Sequence, residues 1–209
     1  MFELGAFLYG VMTAQPTWRS SCARLARYFP DDTRRVLDLG CGPGVSTIIL
    51  AQANPTATLV GLDLAPRMLD EAKHYTARAG LTPRIDYVLA DAARLPFANC
   101  AFDMVTGHSF LYLVNDRPAV VAESYRVLRS GGRIATMEPR AGAKIGALLP
   151  RWREVRYVIS VLLWRPYSRL HGQLSSAAFE RLLGAAGFRN ITTEIAQDGF
   201  GLIGSGEKP

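Results

Sequence analysis

The stretch that decides the fold is Val36-Leu37-Asp38-Leu39-Gly40-Cys41-Gly42-Pro43-Gly44. An apolar run is broken by an aspartate, three glycines follow at every second position, and an apolar helical pattern begins at Val45. This order predicts a strand over residues 34–39, a tight turn, and a helix over residues 45–53. Glycine lets the backbone turn sharply and approach a ligand closely, because it has no Cβ. The G-x-G-x-G spacing differs from the G-x-G-x-x-G of dinucleotide-binding proteins.

The strand-then-helix pattern repeats along the chain. Further strands are predicted over residues 58–62, 85–89, 102–106 and 133–137. Further helices are predicted over residues 66–79 and 117–128, the second closed by Ser130-Gly131-Gly132. Strands that alternate with helices predict an α/β fold with a parallel sheet. A last helix over residues 176–186 and two strands over residues 188–196 and 200–204 predict an antiparallel hairpin at one edge.

Two segments lie outside this repeating core. Residues 1–30 mix aromatic residues with arginines and predict an N-terminal helical cap. Residues 140–174 form an insertion after the fifth strand, with an apolar run over residues 155–164 that is too short to cross a bilayer, which takes about twenty residues. We expect residues 1–209 to form a single domain, since a chain of this length suffices for one well-buried core.

Cysteine usage and charge limit the classes of function that the sequence supports. Cys22, Cys41 and Cys100 form no C-x-x-C pair, so the sequence indicates neither a disulfide framework nor a zinc site. The N-terminus lacks the pattern of a secretory signal, and we expect a cytoplasmic protein. The net charge of +6 is uneven, because residues 126–189 hold twelve Arg or Lys and three Glu. Such a region fits an ordinary solvated surface, anionic lipid, nucleic acid or an acidic substrate.

Two further aspartates follow predicted strands. Asp63 follows the second strand, where a carboxylate can accept hydrogen bonds from both ribose hydroxyls. Asp91 follows the third strand, where it can accept from an adenine amino group, and Leu62 and Leu64 could offer an apolar face to the purine. Singly, each aspartate could instead cap a helix. With Asp38, three acids at three consecutive strand ends favour a nucleoside-containing ligand at one sheet edge.

These motifs resemble the class I S-adenosylmethionine-dependent methyltransferases, especially the ubiquinone/menaquinone-methyltransferase-like group. The resemblance covers residues 34–140, with a looser match through the final strands, and rests on residues 36–44, 60–69, 91–97 and 128–133. It implies a Rossmann-like sheet of seven strands in the order 3-2-1-4-5-7-6, with strand 7 antiparallel. It also implies S-adenosyl-L-methionine as the cofactor and methyl transfer as the reaction.

The resemblance assigns roles in cofactor binding. Gly40 and Gly42 would line the methionine moiety, and Asp38 would orient its ammonium end. Asp63 would hold the ribose, and Leu64 and Met68 would pack near the adenine. Asp91 and the backbone of Ala92 would read the adenine edge. The remaining predicted cofactor-binding residues are Cys41 and Gly107.

The sequence also departs from several subfamilies. Thr106-Gly107-His108-Ser109-Phe110 stands where methyltransferases of DNA amino groups carry Asn-Pro-Pro-Tyr. The sequence lacks the Pro-Cys nucleophile that would indicate methylation at cytosine C5. It also lacks a second acid after the fourth strand, which would imply a metal site. His108 is the candidate catalytic residue, as a base if the acceptor must lose a proton. Its alternative role is to pack against the methionine tail of the cofactor or to hydrogen-bond a backbone group. We expect His74 and His171 to lie on the surface.

The acceptor is predicted from the segments that flank the core. Residues 2–18 and 144–167 are rich in aromatic residues and leucine, which favours a hydrophobic or amphiphilic acceptor such as a quinone-like ring, a lipid head group or a secondary metabolite. Core packing is the alternative reading of those side chains. The apolar run over residues 155–164, with arginines around it, predicts a lid in peripheral contact with a membrane.

Two rival functions stay open at this stage. An NAD-dependent dehydrogenase could also use Asp63, but the glycine spacing and Asp91 count against it. The other rival is a basic RNA- or membrane-binding protein that uses the fold without catalysis, and nucleic acid is the less favoured of those partners.

Overall fold

The computed structural model describes residues 16–209, with side chains from residue 18 onward. The first half of the predicted N-terminal cap, residues 1–15, lies outside the described residues. The strands are β1 (Arg35–Leu39), β2 (Thr58–Asp63), β3 (Ile85–Leu89), β4 (Phe102–His108), β5 (Leu128–Pro139), β6 (Arg189–Ala196) and β7 (Gly201–Glu207). The helices are α1 (Pro16–Leu25), α2 (Val45–Ala53), α3 (Pro66–Arg78), α4 (Arg117–Val127), α5 (Val155–His171) and α6 (Ser176–Ala185).

All seven strands form one sheet in the order β3-β2-β1-β4-β5-β7-β6. The pairs from β3 to β5 are parallel, and β7 runs antiparallel to both β5 and β6. The predicted strand order and the antiparallel seventh strand are therefore confirmed. Because β1, β2 and β3 are parallel neighbours, their carboxyl ends meet at one edge of the sheet, as predicted for the three aspartates.

Both faces of the sheet are covered, which explains why its central strands are mostly apolar. Side chains alternate along a strand, so Leu37 enters the core on one face and Val36 the core on the other. β4 shows the same division, with Val105 on the first face and Met104 on the second. A sheet buried on both faces is the arrangement that α/β proteins require.

One predicted helix stop is wrong. The fourth helix ends at Val127, and Leu128 already pairs with Phe102 as the start of β5. Gly131, at φ +74°, donates its N–H to the carbonyl of Lys208 at 2.8 Å. The glycines at 131 and 132 thus serve pairing with the C-terminal strand, a long-range partner that the local pattern does not reveal.

The segment predicted as an insertion follows β5 and precedes α6. Arg140 and Leu174 form a bridge at its base, and between them lie a 3₁₀ segment (Ile145–Arg151) and α5. Its inner side chains make a small core together with Phe200; the members from the insertion are Ala143, Leu148, Tyr157, Val161 and Trp164. Within residues 16–209, no helix has both the length and the apolar character needed to cross a membrane.

Candidate functional site

The glycine-rich turn joins β1 to α2 at the carboxyl edge of the sheet. Gly40, Gly42 and Gly44 have φ values of +62°, +53° and +77°, a region that residues with a Cβ rarely adopt. A Cβ on Gly44 would also lie 2.4 Å from the hydroxyl oxygen of Tyr87. The predicted turn is therefore confirmed, and it depends on glycine for backbone conformation as well as for space.

Cys41 fastens this turn to the neighbouring strand. Its N–H donates to the carbonyl of Leu62 at 3.0 Å, and its side chain is buried. Burial raises the pKa of the Cys41 thiol, so the side chain is neutral. The backbone of Cys41 lies in the turn as predicted, whereas its thiol points into the protein.

Asp38 lies at the predicted position, but its carboxylate is completely buried. One oxygen accepts hydrogen bonds from the hydroxyls of Ser46 and Thr47, both at 2.7 Å, and the other accepts from Thr106 at 3.0 Å. Desolvation raises the pKa of Asp38, and the three hydroxyls oppose that rise. The side chain therefore ties β1 to α2 and β4 and so holds the turn, while its predicted contact with an ammonium group stays a prediction.

Asp63 connects the glycine turn with the end of β2. Its carboxylate accepts the N–H of Gly42 at 2.8 Å and the N–H of Ala65 at 2.9 Å. The residue that caps α3 is Ala65, with no side-chain cap, so the helix-cap alternative for Asp63 is wrong. The carboxylate is half-buried and stands beside the turn, where a ribose could meet it.

Asp91 and its neighbours form the other side of this edge. The exposed Asp91 carboxylate accepts the N–H of Ala93 at 2.9 Å, and because a turn rather than a helix follows, the cap alternative is wrong here too. Leu64 is 68% exposed at this edge, whereas Ala92 is buried in the core. Leu62, by contrast, is in the core and cannot offer a face to a purine, which corrects that part of the prediction.

These residues fit an adenosine-containing cofactor. Met68 is half-buried in the first turn of α3, close in sequence to exposed Leu64. The edge thus offers the half-buried carboxylate of Asp63, an exposed apolar side chain and the exposed carboxylate of Asp91. The first carboxylate can accept hydrogen bonds from ribose hydroxyls, the apolar side chain can contact a purine face, and the second carboxylate can accept from an exocyclic amino group.

Phe110 is a site residue that sequence reasoning missed. A Cβ on Gly40 would lie 2.4 Å from the Cβ of Phe110, and one on Gly107 would lie 2.6 Å from its ring. The absence of a side chain at both glycines lets Phe110 pack over the start of the turn. Gly107 was predicted to bind the cofactor, which stays a prediction; in the structure it leaves room for the ring of Phe110. Gly107 is only three residues from Phe110 in the chain, but Gly40 is 70 residues away, so the local sequence does not show that Phe110 packs on the turn.

His108 ends β4 at the carboxyl edge, as predicted, and is 3% exposed. Its Nε2 lies 2.7 Å from the hydroxyl oxygen of Ser21, and its ring lies against Trp18 with centroids 4.3 Å apart. Burial lowers the pKa of His108 to about 3, so the imidazole is neutral at neutral pH. A base with that pKa accepts a proton poorly at neutral pH, which favours the packing alternative.

The Ser21 hydroxyl links His108 to two other segments. It lies 2.7 Å from the carbonyl of Trp18 and 2.7 Å from Nε2 of His108, and it accepts from the side-chain amide of Gln197 at 3.0 Å. Its single proton goes either to the Trp18 carbonyl or to Nε2, according to the tautomer of the imidazole. Among residues 16–209, the buried Nδ1 of His108 has no hydrogen-bond partner.

Glu138, at the carboxyl end of β5, is a second residue that the sequence reading missed. It is completely buried, and its carboxyl oxygens accept the N–H groups of Leu111 and Tyr112, both at 3.1 Å. Desolvation raises the pKa of Glu138 to about 8. It therefore fixes the segment that follows β4 and carries Phe110. The signal was present, because Glu138 is an acid at a strand end like Asp38, Asp63 and Asp91.

Other reactive side chains are dispersed. The three cysteines are free, and His74 and His171 are exposed, as predicted. In the described part of the chain, no three His, Cys, Asp or Glu side chains are grouped so that they could hold a metal ion.

Comparison with known proteins matches this geometry to a family. A family model described as a methyltransferase domain matches residues 36–132. The ubiquinone/menaquinone biosynthesis C-methyltransferase UbiE of Xylella fastidiosa is 30% identical, over 77% of this chain and 70% of that protein. The protein of the same name from Desulfotalea psychrophila is 39% identical over 53% of this chain, and the match spans less than half, 43%, of that relative.

A solved structure shows the same fold. Phosphoethanolamine N-methyltransferase 2 of Haemonchus contortus, in complex with S-adenosyl-L-methionine, superimposes with a TM-score of 0.70 at 19% identity, over 92% of this chain and 53% of that one. At that identity the similarity concerns the fold alone.

Proposed function

Because the chain belongs to the class I S-adenosylmethionine-dependent methyltransferases, whose cofactor is S-adenosyl-L-methionine, we propose that it transfers the methyl group of that cofactor to a small hydrophobic or amphiphilic acceptor. One observation carries the proposal: the Asp63 carboxylate accepts the N–H of Gly42 and so joins the glycine turn to the β2 edge. A dehydrogenase and a non-catalytic binding protein are both less favoured, since the family match concerns methyltransferases.

In this proposal the cofactor lies across the carboxyl edge of β1, β2 and β3. Gly40, Gly42 and Cys41 contribute the turn against the methionine part, with Asp38 holding the turn from below. Asp63 binds the ribose. The purine lies between Leu64 and Met68, with its edge toward Asp91 and Ala92. Gly107 lies on the methionine side, where it supports Phe110.

The acceptor class is the second part of the proposal. The similar proteins of X. fastidiosa and D. psychrophila are C-methyltransferases of ubiquinone/menaquinone biosynthesis, which supports a quinone-like ring as the acceptor. A lipid head group or a hydrophobic secondary metabolite has the same general chemistry. We also propose a peripheral contact with a membrane, from which such an acceptor could be drawn.

The sulfonium cofactor supplies an activated methyl group, so the protein mainly has to hold the acceptor in line and keep water out. We assign His108 to the acceptor side as a neutral hydrogen-bonding group rather than as the base. Its buried Nδ1 has no hydrogen-bond partner among residues 16–209 and would hydrogen-bond a polar group of the acceptor. Glu138 is a positioning residue, because its hydrogen bonds to Leu111 and Tyr112 hold the segment that follows β4.

The proposal is tested with cofactor labelled in its methyl group. The protein is incubated with the labelled cofactor and a hydrophobic metabolite extract, and products are identified by mass spectrometry. We expect label in a small apolar product, and much less of it with the Asp63→Ala variant at cofactor concentrations below the Kd of that variant. The melting temperature should rise with S-adenosylmethionine and not with NAD. A protein that binds no S-adenosylmethionine by calorimetry would disprove the proposal.

A further inference from the structure

Helix α5 has two apolar faces, and only one of them is buried. Its inner face packs on the domain through residues that are nearly inaccessible to solvent: Tyr157, Ser160, Val161, Trp164 and Ser168. The opposite face, here called the outer stripe, is apolar and open to solvent, with exposed fractions between 44% and 83%; its residues are Val155, Ile159, Leu162, Leu163 and Leu170. Their spacing places them on one side of the helix.

The exposed apolar surface continues beyond the helix. Trp152 is 65% exposed and Leu149 is 73% exposed, just before α5 begins. Single exposed apolar side chains are ordinary, but a contiguous set of them marks an interaction surface. The exposed side of α5 therefore differs from the exposed sides of the other helices, which are mainly polar, as in α3.

Basic side chains flank the outer stripe. Residues 140–174 hold seven Arg or Lys and a single acid, Glu154, which pairs with Arg151 at 2.8 Å. Arg153, Arg156 and Arg169 are exposed and, within the described chain, take part in no ion pair. The Arg153 guanidinium lies over the Trp152 ring, 5.1 Å from its centroid. The surface thus combines a hydrophobic stripe with uncompensated positive charge.

This combination selects one partner. A second copy of the chain would bring these arginines against each other, and nucleic acid would leave the apolar stripe in water. Anionic lipid satisfies both parts, because apolar side chains enter the acyl boundary while arginines stay among the head groups. We propose that the outer stripe of α5 docks on an anionic membrane surface.

The inner face of α5 connects this surface with the candidate site. Trp164 lies edge-on to Tyr112, whose N–H donates to Glu138. The Tyr157 hydroxyl donates to Asp198 at 2.9 Å, next to Gln197, whose amide donates to Ser21 beside His108. A membrane under the outer stripe would therefore lie on the acceptor side. Docking on a membrane does not depend on the proposed function; only the supply of an amphiphilic acceptor from that membrane rests on it.

The test is sedimentation of the full chain with vesicles of phosphatidylcholine, alone or mixed with phosphatidylglycerol, across a salt series. We expect binding to the mixed vesicles that weakens with salt. A charge variant, Arg153→Gln with Arg156→Gln and Arg169→Gln, should bind on the order of a hundredfold more weakly, since each basic residue contributes about fivefold. A stripe variant, Leu162→Ser with Leu163→Ser, should also lose vesicle binding.

The matched controls are Ile195→Ser, an apolar side chain 56% exposed on β6, and Arg181→Gln, an exposed arginine of α6. Both should sediment like the wild type. Calorimetry with S-adenosylmethionine, which the α5 variants should bind normally, reports separately on the proposed function. The inference is overturned if wild-type protein stays in the supernatant at low salt, if the stripe variant sediments like the wild type, or if size-exclusion chromatography shows a dimer that the stripe variant dissociates.

Discussion

Replacing Asp63 tests the cofactor site at the residue that joins its two halves. In Asp63→Ala the N–H groups of Gly42 and Ala65 lose a charged acceptor. Gly42 is buried, so its unpaired N–H should cost about 1–3 kcal/mol of folding free energy. The bound ribose would lose hydrogen bonds to a charged group, for which about 1.5–3 kcal/mol is typical. That loss corresponds to roughly a 10- to 150-fold increase in Kd.

Isothermal calorimetry with S-adenosylmethionine measures the affinity, and urea denaturation measures the stability. Asp63→Asn should be intermediate in both, because its amide keeps one acceptor oxygen and loses the charge. The control is Asp86→Ala, which removes an exposed aspartate from neighbouring β3. An unchanged Kd in Asp63→Ala would refute the ribose assignment, and an equal loss in Asp86→Ala would show that the effect is not specific.

Three further variants test the fold and the buried titratable groups. Gly44→Ala should lower the free energy of unfolding by about 2–4 kcal/mol, because the φ of Gly44 is +77° and an added Cβ would meet Tyr87. The control Gly146→Ala should be nearly neutral, because the space around its Cβ is open. Equal urea midpoints for the two variants would contradict this prediction. The pKa of Glu138 is raised to about 8 from ~4.3 in the unfolded chain, so the stability of wild type relative to Glu138→Gln should be highest below pH ~4.3 and fall as the pH rises through about 8. The pKa of His108 is lowered to about 3 from ~6.5, so the stability of wild type relative to His108→Gln should be full above pH ~6.5 and fall as the pH drops toward about 3. Urea denaturation across pH measures both differences, and a difference that does not change with pH would count against the corresponding assignment.

The sequence by itself determined the elements and their order. The helix over residues 45–53 and the strand over residues 85–89 lie where the apolar patterns predicted them. Hydrophobic periodicity and glycine punctuation are local properties, so they can be read from neighbouring residues. The position of the acids at one sheet edge could also be predicted, because neighbouring parallel strands bring their carboxyl ends to the same edge. Glu138 was accessible to that rule and was overlooked.

Only the tertiary structure decided the chemical state of the site. The surroundings of the buried His108 come from α1, which supplies Ser21, and from the turn before β7, where Gln197 contacts Ser21, and neither segment is near His108 in the chain. Phe110 and Gly40, against which it packs, are likewise distant in sequence. Desolvation and close packing depend on which segments meet in space, and one sequence does not state that directly. The exposed stripe on α5 has the same origin: the sequence showed an apolar run, and the packing of the helix decided which of its faces stays open to solvent.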